Sequence, residues 1–232
     1  IYTAAQPDAN PIYETVVNGG RTEYKVSSVL INALAGTTDP RLAVYAKVNK
    51  DDLYVGNIPG QENSGSYDAF SSPGDFYLNP TLPGIMLSHA QVKFLLAEAA
   101  NKGFIAGGID QARIYYFEAI RANMDVNGVS SAAADLYVAA ASNNFTTTAQ
   151  GNERIGYQTW LALYGQGIEA WTEWRRTGFP ALSPVVDAAI NQIPSRFYYS
   201  TNSQNTNNEN YTAASASLSN GDSMLSKVWW IN

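Results

Sequence analysis

Residues 88–126 carry the pattern that most limits how this chain can fold. Ser88 and Gln91 have the spacing of a capping box at the start of a helix. Apolar side chains then recur at helical spacing in two runs separated by Gly107-Gly108: Val92, Leu95, Leu96 and Ala99, and then Ala112, Tyr115, Tyr116, Ala119 and Ile120. Two helices within about 34 residues, with small residues where they would touch, are typical of a tetratricopeptide-type hairpin.

A single hairpin of this kind cannot bury its own apolar faces, so other elements must pack against it. A weaker helical pair is predicted at 131–142 and 152–177. A short helix is predicted at 27–35, and another is indicated at Asp39-Pro40, although the run at 42–48 is equally compatible with a strand. The sequence therefore predicts a mainly α fold in which helix hairpins pack with long loop-rich segments.

The segments on either side of the hairpin region have a different character. Residues 1–87 are interrupted throughout by Pro and Gly and are expected to be rich in loops. Residues 178–232 are expected to be irregular, and the polar stretch 201–211 is typical of a mobile loop. Trp229 and Trp230 near the end of the chain are expected to be buried in a core. The predicted division is thus a loop-rich segment, a helical hairpin region at 88–177 and an irregular C-terminal segment.

The composition excludes several classes of function. The 232 residues contain no Cys and one His, His89, which removes disulfides, thiol catalysis and most zinc sites. His89 lies beside the predicted cap, where a surface position is expected. The aspartates Asp8, Asp51, Asp52 and Asp75 lack the spacing of a calcium loop. A net charge of −6 argues against nucleic-acid binding, and no metal or cofactor is predicted.

Tyrosine is plentiful, with 15 residues against 14 Lys and Arg together. Tyrosine and tryptophan offer a flat apolar face and a polar edge. That combination suits sugar rings, which have apolar C–H faces and hydroxyl rims, but it is also common in large proteins with long loops.

The stretch 164–180, YGQGIEAWTEWRRTGFP, matches G-x-G-x-x-A, a dinucleotide-binding signature, at Gly165 to Ala170. That signature requires a strand before the glycines and a helix that opens at them. Here an apolar stripe from Tyr157 to Trp171 has helical spacing and predicts one helix that runs through both glycines. The sequence therefore favours a packed helix over a cofactor site.

The same stretch contains two glutamates, Glu169 and Glu173, which share a helix face. A glycosidase pair is one interpretation, and a solvated ion cluster with Arg176 is the favoured one. Arg175 falls on the apolar stripe and is interpreted as a buried structural arginine that meets a carboxylate or carbonyl acceptors.

Six segments in this order resemble the C-terminal half of the SusD/RagB family, closest to its SusD-like subgroup. They are TTDPRLAVY, LSHAQVKFLLAEAANKG, LYGQGIEAWTEWRRTGFP, IPSRFYYS, NNENY and KVWW, which together extend from about residue 39 to 230. Gln166 stands where the family commonly has glutamate, and Tyr199-Ser200 stands where Tyr-Pro is usual. The matched motifs are expected to be core and scaffold, and the glycine stretch is expected to touch no ligand.

The resemblance implies that residues 1–232 form the C-terminal part of a single SusD-like domain. It implies a non-catalytic lipoprotein on the outer-membrane surface of Bacteroidetes that binds a poly- or oligosaccharide and delivers it to a SusC-like TonB-dependent transporter. The lipid anchor and much of the tetratricopeptide scaffold would lie upstream, outside this chain. Peptide cargo held by the same architecture and a helical glycoside hydrolase remain alternatives.

The family motifs carry over no ligand-contacting residue. Loops are where binding residues concentrate, and the Gly-, Pro- and Ser-rich stretch 51–80 is rich in aromatic residues. We therefore predict that the ligand contacts are Tyr54, Tyr67, Phe70, Phe76 and Tyr77, with packing in the core as the alternative for each of them.

Overall fold

The computed structural model describes residues 10–62, 66–140 and 143–231. Within these ranges the fold is helical and has no strand, only isolated bridges such as Ser27 with Asn57 and Ala46 with Pro73. The mainly α prediction is confirmed. The helices are α1 Pro11–Tyr13, which continues as a π-helix Glu14–Asn18, α2 Ser28–Ala35, α3 Leu42–Tyr45, α4 His89–Asn101, α5 Gly108–Val126, α6 Ser131–Ala139, α7 Thr148–Ala162, α8 Gly167–Thr177, α9 Thr201–Thr206 and α10 Asn208–Ala216.

Helices α4 and α5 form the predicted hairpin. The capping box is present, since Gln91 N donates to Ser88 Oγ at 3.1 Å and Ser88 N donates to Gln91 Oε1 at 2.7 Å. The chain turns between the helices through Gly107, whose φ of 103° is a left-handed conformation that favours glycine. The two helices meet through alanines with no exposed surface, namely Ala97, Ala100, Ala112 and Ala119.

The predicted buried face of α4 is wrong. Val92 and Leu95 are exposed, whereas Phe94 and Ala97 are buried against α5. Both stripes have helical spacing, but the alanine stripe lets the two backbones approach closely and leaves room for the ring of Phe94. On α5 the predicted face is confirmed, because Tyr116 and Ile120 are buried in the same cluster.

Helices α6 and α7 complete this first core, with Tyr137, Phe145 and Ile155 among its buried residues. The prediction of one helix across 152–177 is wrong. Helix α7 ends at Ala162 and α8 begins at Gly167, and Gly165 between them has a φ of 83°. This left-handed glycine stops the first helix. The chain therefore bends where the glycines fall.

A second core lies between α2, α3 and the end of α7. Tyr45 is fully buried there, stacks on Tyr164 with ring centroids 4.4 Å apart and meets the edge of Tyr77 at 5.5 Å. The helix predicted near Asp39 is confirmed as the short α3, so the strand alternative is not adopted at 42–45. Asp39 accepts a hydrogen bond from Arg41 N at 2.9 Å and fixes the turn before the helix.

The C-terminal segment departs from expectation in two ways. The stretch 201–211 is predicted to be a mobile loop but lies within α9 and α10, and Ser200 caps α9 by accepting from Ser203 N at 3.1 Å. Trp229 is expected to be buried but is 95% exposed. Trp230 is half-buried and lies over the guanidinium of Arg175 at 4.8 Å.

Arg175 is half-buried and finds carbonyl acceptors. Its Nη1 donates to Ser195 O at 2.9 Å and its Nε to Trp171 O at 3.3 Å. Its guanidinium lies 3.7 Å from the ring centroid of Trp171, in a cation–π contact. Burial lowers the pKa of Arg175. Arg175 is thus less buried than predicted, but it packs and bonds as a structural arginine.

Candidate functional site

Ser71 hydrogen-bonds the stretch 51–80 to the segment before α2. Residues 63–65 of this stretch lie outside the described residues. Ser71 is fully buried, and its N donates to Val55 O at 2.7 Å. Its hydroxyl accepts from Val55 N at 3.0 Å, and its carbonyl accepts from Val26 N at 2.9 Å. These bonds hold both sides of the loop against the segment that leads into α2.

A second fastening point is Asn49. Its Oδ1 accepts from Leu53 N at 2.9 Å, and its Nδ2 donates to Ala69 O at 2.9 Å. One side chain therefore joins the two sides of the loop that carry Tyr54 and Tyr67. The loop is fixed at its base, and Tyr54 and Tyr67 beyond this point are exposed.

Two of the five predicted ligand contacts have the exposure that binding requires. Tyr67 is 47% exposed and Tyr54 is 36% exposed. Phe70 and Phe76 are half-buried. The structure therefore offers Tyr54 and Tyr67 as surface contacts, with Phe70 beside them in sequence.

Tyr77 does not have the exposure that was expected of it. It is 8% exposed, its ring meets the edge of Tyr164 at 4.6 Å, and its hydroxyl donates to Asn127 Oδ1 at 2.7 Å. Burial raises the pKa of Tyr77. The side chain is part of the second core because it follows Gly74, which packs tightly against Val44 and turns the chain inward.

An apolar groove of about 460 Å³ lies next to this loop. It is lined by the α1 region, by the segment 24–27 with Pro73, and by the end of α7 and the start of α8. Aromatic side chains on its walls are Tyr24, Trp160 and Tyr164. A concave, mostly apolar site with a few polar groups is the usual form of a small-ligand site.

Lys25 connects the groove with the exposed loop. It lines the groove, and its charge interacts with that of Asp68, the neighbour of Tyr67. Burial lowers the pKa of Lys25, and the Asp68 carboxylate partly offsets this effect. An ammonium and a carboxylate are therefore available beside the aromatic rings as hydrogen-bonding groups.

The glycine stretch contributes to this groove, which the sequence did not indicate. Gly165 and Gly167 both line it, and a Cβ at Gly167 would meet no atom within 4 Å. The groove residues come from segments far apart in the sequence, so only the tertiary fold assembles them. The one signal in the sequence was the pair of glycines interrupting a helical stripe.

The glutamates of α8 have different surroundings, since Glu173 is held in an ion pair and Glu169 is exposed. Glu173 and Glu98 both bind Arg176, whose Nη2 lies 2.9 Å from Glu173 Oε1 and 2.6 Å from Glu98 Oε2. Burial raises the pKa of Glu173, and Arg176 only partly offsets it. Burial also raises that of Glu98, but hydrogen bonds from Arg176 and Lys102 outweigh it and lower the pKa.

The solvated ion cluster predicted for Glu169, Glu173 and Arg176 is therefore corrected. Glu169 is exposed, whereas Glu173 is mostly buried and shares Arg176 with Glu98 of α4. A glycosidase needs two carboxyl groups about 5 to 10 Å apart with the sugar between them. Here Glu173 shares the guanidinium of Arg176 with Glu98, and Glu169 is exposed.

His89 is exposed as the first residue of α4. Among the described residues, no group of three or more His, Cys, Asp or Glu side chains could hold a metal ion. Asp8 lies outside the described residues. Within the described ranges, no helix combines the length and the apolar character needed to cross a membrane.

Solved structures share this fold. A SusD homologue from Bacteroides fragilis NCTC 9343 has a TM-score of 0.85 at 24% identity, over 100% of this chain and 57% of its own. A chitin-binding SusD homologue from Flavobacterium johnsoniae has a TM-score of 0.80 at 25% identity, over 99% and 52%. A further chitin-binding protein has a TM-score of 0.78 at 30% identity, over 89% and 50%.

This chain thus spans about half the length of the solved structures that it resembles. A search of curated proteins gives no match. The sequence profile of a SusD-like family, described as "Starch-binding associating with outer membrane", matches residues 1–200. Because that match covers most of the 232 residues, the chain belongs to the SusD-like family.

Proposed function

We propose that this chain is part of a glycan-binding protein of the outer-membrane surface. It binds a poly- or oligosaccharide without cleaving it and delivers it to a SusC-like TonB-dependent transporter. In this proposal the protein is held at that surface as a lipoprotein. The observation that carries the proposal is the match to a starch-binding family over residues 1–200.

The chemistry of the candidate site agrees with a sugar ligand. Tyr54 and Tyr67 offer exposed aromatic faces to the apolar C–H faces of sugar rings. The adjoining groove adds an apolar wall that includes Tyr24. Lys25 and Asp68 can exchange hydrogen bonds with hydroxyl groups. Phe70 and Phe76 are proposed to support these contacts from their half-buried positions.

Binding without cleavage is supported by the state of the buried carboxylates. Glu98 and Glu173 are held by Arg176, and neither residue lines the groove. Neither is free to act as a nucleophile or a general acid on a sugar in the groove. We therefore expect no release of reducing sugar from any glycan that is bound.

The test is retention of the 232-residue chain in native gels that contain amylopectin or glycol chitin. The parent chain is expected to be retarded by at least one polymer and to release no reducing sugar. The double variant Tyr54→Ala/Tyr67→Ala should weaken retention by about tenfold or more, a change of about 1.4 kcal/mol in binding free energy. Tyr24→Ala should weaken it as well, because that side chain lines the groove.

Phe104→Ala is the matched control. Phe104 is 79% exposed in the turn between α4 and α5, away from the loop and the groove, so its loss should leave retention unchanged. A parent chain that neither polymer nor a wider panel of polysaccharides retards would contradict glycan binding. Co-purification with a transporter and a peptide, in the absence of any glycan retention, would favour peptide cargo instead.

A further inference from the structure

A second group of exposed aromatic side chains lies near the C-terminal end, outside the loop and the groove. Phe197 is 68% exposed and Tyr198 is 57% exposed, and Tyr199 and Trp229 are exposed as well. Single exposed apolar residues are ordinary in soluble proteins. Three consecutive exposed aromatic residues together with an almost fully exposed tryptophan form a patch of the kind that marks an interaction site.

The rings of Phe197 and Tyr199 pack on side chains of neighbouring elements. Phe197 meets Trp171 of α8 with ring centroids 5.1 Å apart, and Tyr199 meets Tyr211 of α10 at 5.9 Å. Arg196 lies over the ring of Tyr199 at 4.6 Å. The rings of Phe197 and Tyr199 are therefore presented at the surface on supporting side chains.

Trp229 belongs to the same region. Its neighbour Trp230 stacks on Arg175, and Arg175 donates to Ser195 O at 2.9 Å, two residues before Phe197. We call Phe197, Tyr198, Tyr199 and Trp229 the C-terminal aromatic surface.

Amide side chains stand beside this surface. Helices α9 and α10 follow Tyr199 directly, and Asn202 and Asn205 are exposed on α9. The Tyr199–Tyr211 contact holds α10 against the aromatic residues. An amide offers both hydrogen-bond donors and acceptors, as sugar hydroxyls require. A role of the amides in hydrogen bonding to a ligand also accounts for the Asn-rich stretch, whose polar residues form helices that bury little.

The charge of the surface indicates which partner fits. Arg196 and Asp222 are nearly buried and bind each other at 2.7 Å, so they neutralise one another beneath the rings. An anionic membrane surface would call for a cluster of Lys and Arg. Flat aromatic faces, exposed amides and a neutralised base fit an uncharged, hydroxyl-rich chain.

We propose that the C-terminal aromatic surface is a second carbohydrate-binding surface, which takes a neutral polysaccharide long enough to reach it from the groove. The inference rests on the proposed glycan-binding function. Helix α8 connects the two places, because Gly167 and Ala170 line the groove and Trp171 supports Phe197. One chain held at two points binds more tightly than at either alone, whereas a short oligosaccharide gains nothing from the second surface.

The test compares long and short ligands of the same sugar. The variant Phe197→Ala/Tyr198→Ala/Trp229→Ala is expected to lose about tenfold or more in apparent affinity for amylopectin or glycol chitin in native gels. Its affinity for maltoheptaose or chitohexaose in titration calorimetry should change by less than about twofold. The single variant Tyr198→Phe, which keeps the ring, should retain most of the polymer affinity of the parent.

Phe104→Ala again serves as the exposed-aromatic control and should bind both ligand lengths as the parent does. Unchanged polymer retention of the triple variant overturns the proposal. An equal loss for polymer and oligosaccharide also overturns it, because the surface would then not be a separate site. A large fall in melting temperature with unchanged retention would assign the surface to packing. Failure of the parent to bind any glycan overturns the proposed function, and this inference with it.

Discussion

At the scale of single residues, Arg41 joins the parts of the fold that surround it. Its Nη1 donates to Asn123 Oδ1 on α5 at 2.8 Å, and its Nη2 donates to Gln158 Oε1 on α7 at 2.6 Å. Its Nε and Nη2 bind the two oxygens of Asp39 at 2.9 and 2.5 Å. Arg41 and Asp39 are both fully buried at their side chains, so the pair lies between the two cores.

Asp39 stabilises the charged form of Arg41. Burial alone lowers the pKa of Arg41, but the hydrogen bonds and negative charge of Asp39 outweigh it and raise the pKa. Removal of a partner from a buried pair leaves an uncompensated charge in a site that water does not reach. The loss of folding stability on removing one partner is therefore larger than the net stability that the intact pair contributes.

We expect Arg41→Met to lower the free energy of unfolding by about 3 to 5 kcal/mol, because Asp39 remains buried without its partner. Arg41→Lys should be intermediate, since an ammonium keeps the charge but cannot reach Asp39, Asn123 and Gln158 together. Urea denaturation followed by circular dichroism measures both.

Arg121→Ala provides the matched control for Arg41. Arg121 binds Asp135 at 2.7 Å, but both side chains are about half exposed, and such a pair contributes less than about 1 kcal/mol. A loss for Arg41→Met no larger than that for Arg121→Ala would show that the buried network does not hold the fold together.

At the scale of elements, the junction of α7 and α8 places the groove. Gly165 has a left-handed φ of 83° between the helices, whereas Gly167 is the first residue of α8 and has no atom within 4 Å of a built Cβ. The two glycines of the same short motif thus have different roles. The first permits a bend, and the second leaves open space beside the groove.

We expect Gly165→Ala to destabilise the protein by about 1 to 2 kcal/mol, since an L-residue is strained in the left-handed region. Gly167→Ala should be neutral or should stabilise by about 0.4 to 1 kcal/mol, because alanine restricts the unfolded chain and meets no clash. Thermal unfolding without glycan measures both. Equal effects of the two substitutions would contradict the assignment of the bend to Gly165.

The elements also show what the sequence could predict. Helical spacing and the capping box located α4 and α5, because both signals are local. The same spacing could not decide between the Val92–Leu95 stripe and the Phe94–Ala97 stripe, since that choice depends on how closely α5 approaches. Helices α9 and α10 were not predicted because they are largely polar and show no distinct apolar face at helical spacing. They bury almost nothing, and α9 is capped by Ser200.

The candidate site was predictable in part for the same reason. A loop rich in Gly, Pro and aromatic residues indicated exposed rings, and Tyr54 and Tyr67 are exposed. Tyr77 belongs to the same stretch, but the chain turns inward at Gly74, a tertiary contact with Val44 that no local pattern announces. The groove depends on segments that only the fold brings together, as does the support of Phe197 by Trp171.

At the scale of the whole molecule, charge distinguishes the classes of glycan. The chain carries a net charge of −6. The charge of Lys25 beside the groove is partly balanced by that of Asp68, and Arg196 binds Asp222 beneath the C-terminal aromatic surface. Neither surface therefore presents an excess of positive charge to an acidic polysaccharide. The binding energy should come from aromatic faces and hydrogen bonds, which salt does not screen.

We therefore expect the affinity for amylopectin or glycol chitin to change by less than about twofold between 0.05 and 1 M NaCl, although the Debye length shortens to about 3 Å over that range. Polygalacturonate, an anionic polymer, serves as the control and should not retard the chain even at low salt, because a net charge of −6 repels it. Retention on native gels run at each salt concentration measures both.

A tenfold weakening with salt would contradict neutral recognition and would mean that the charge of Lys25 or of another cation contributes to the binding energy. Lys25→Met should then abolish the salt dependence, whereas in the neutral mechanism it leaves the salt profile flat.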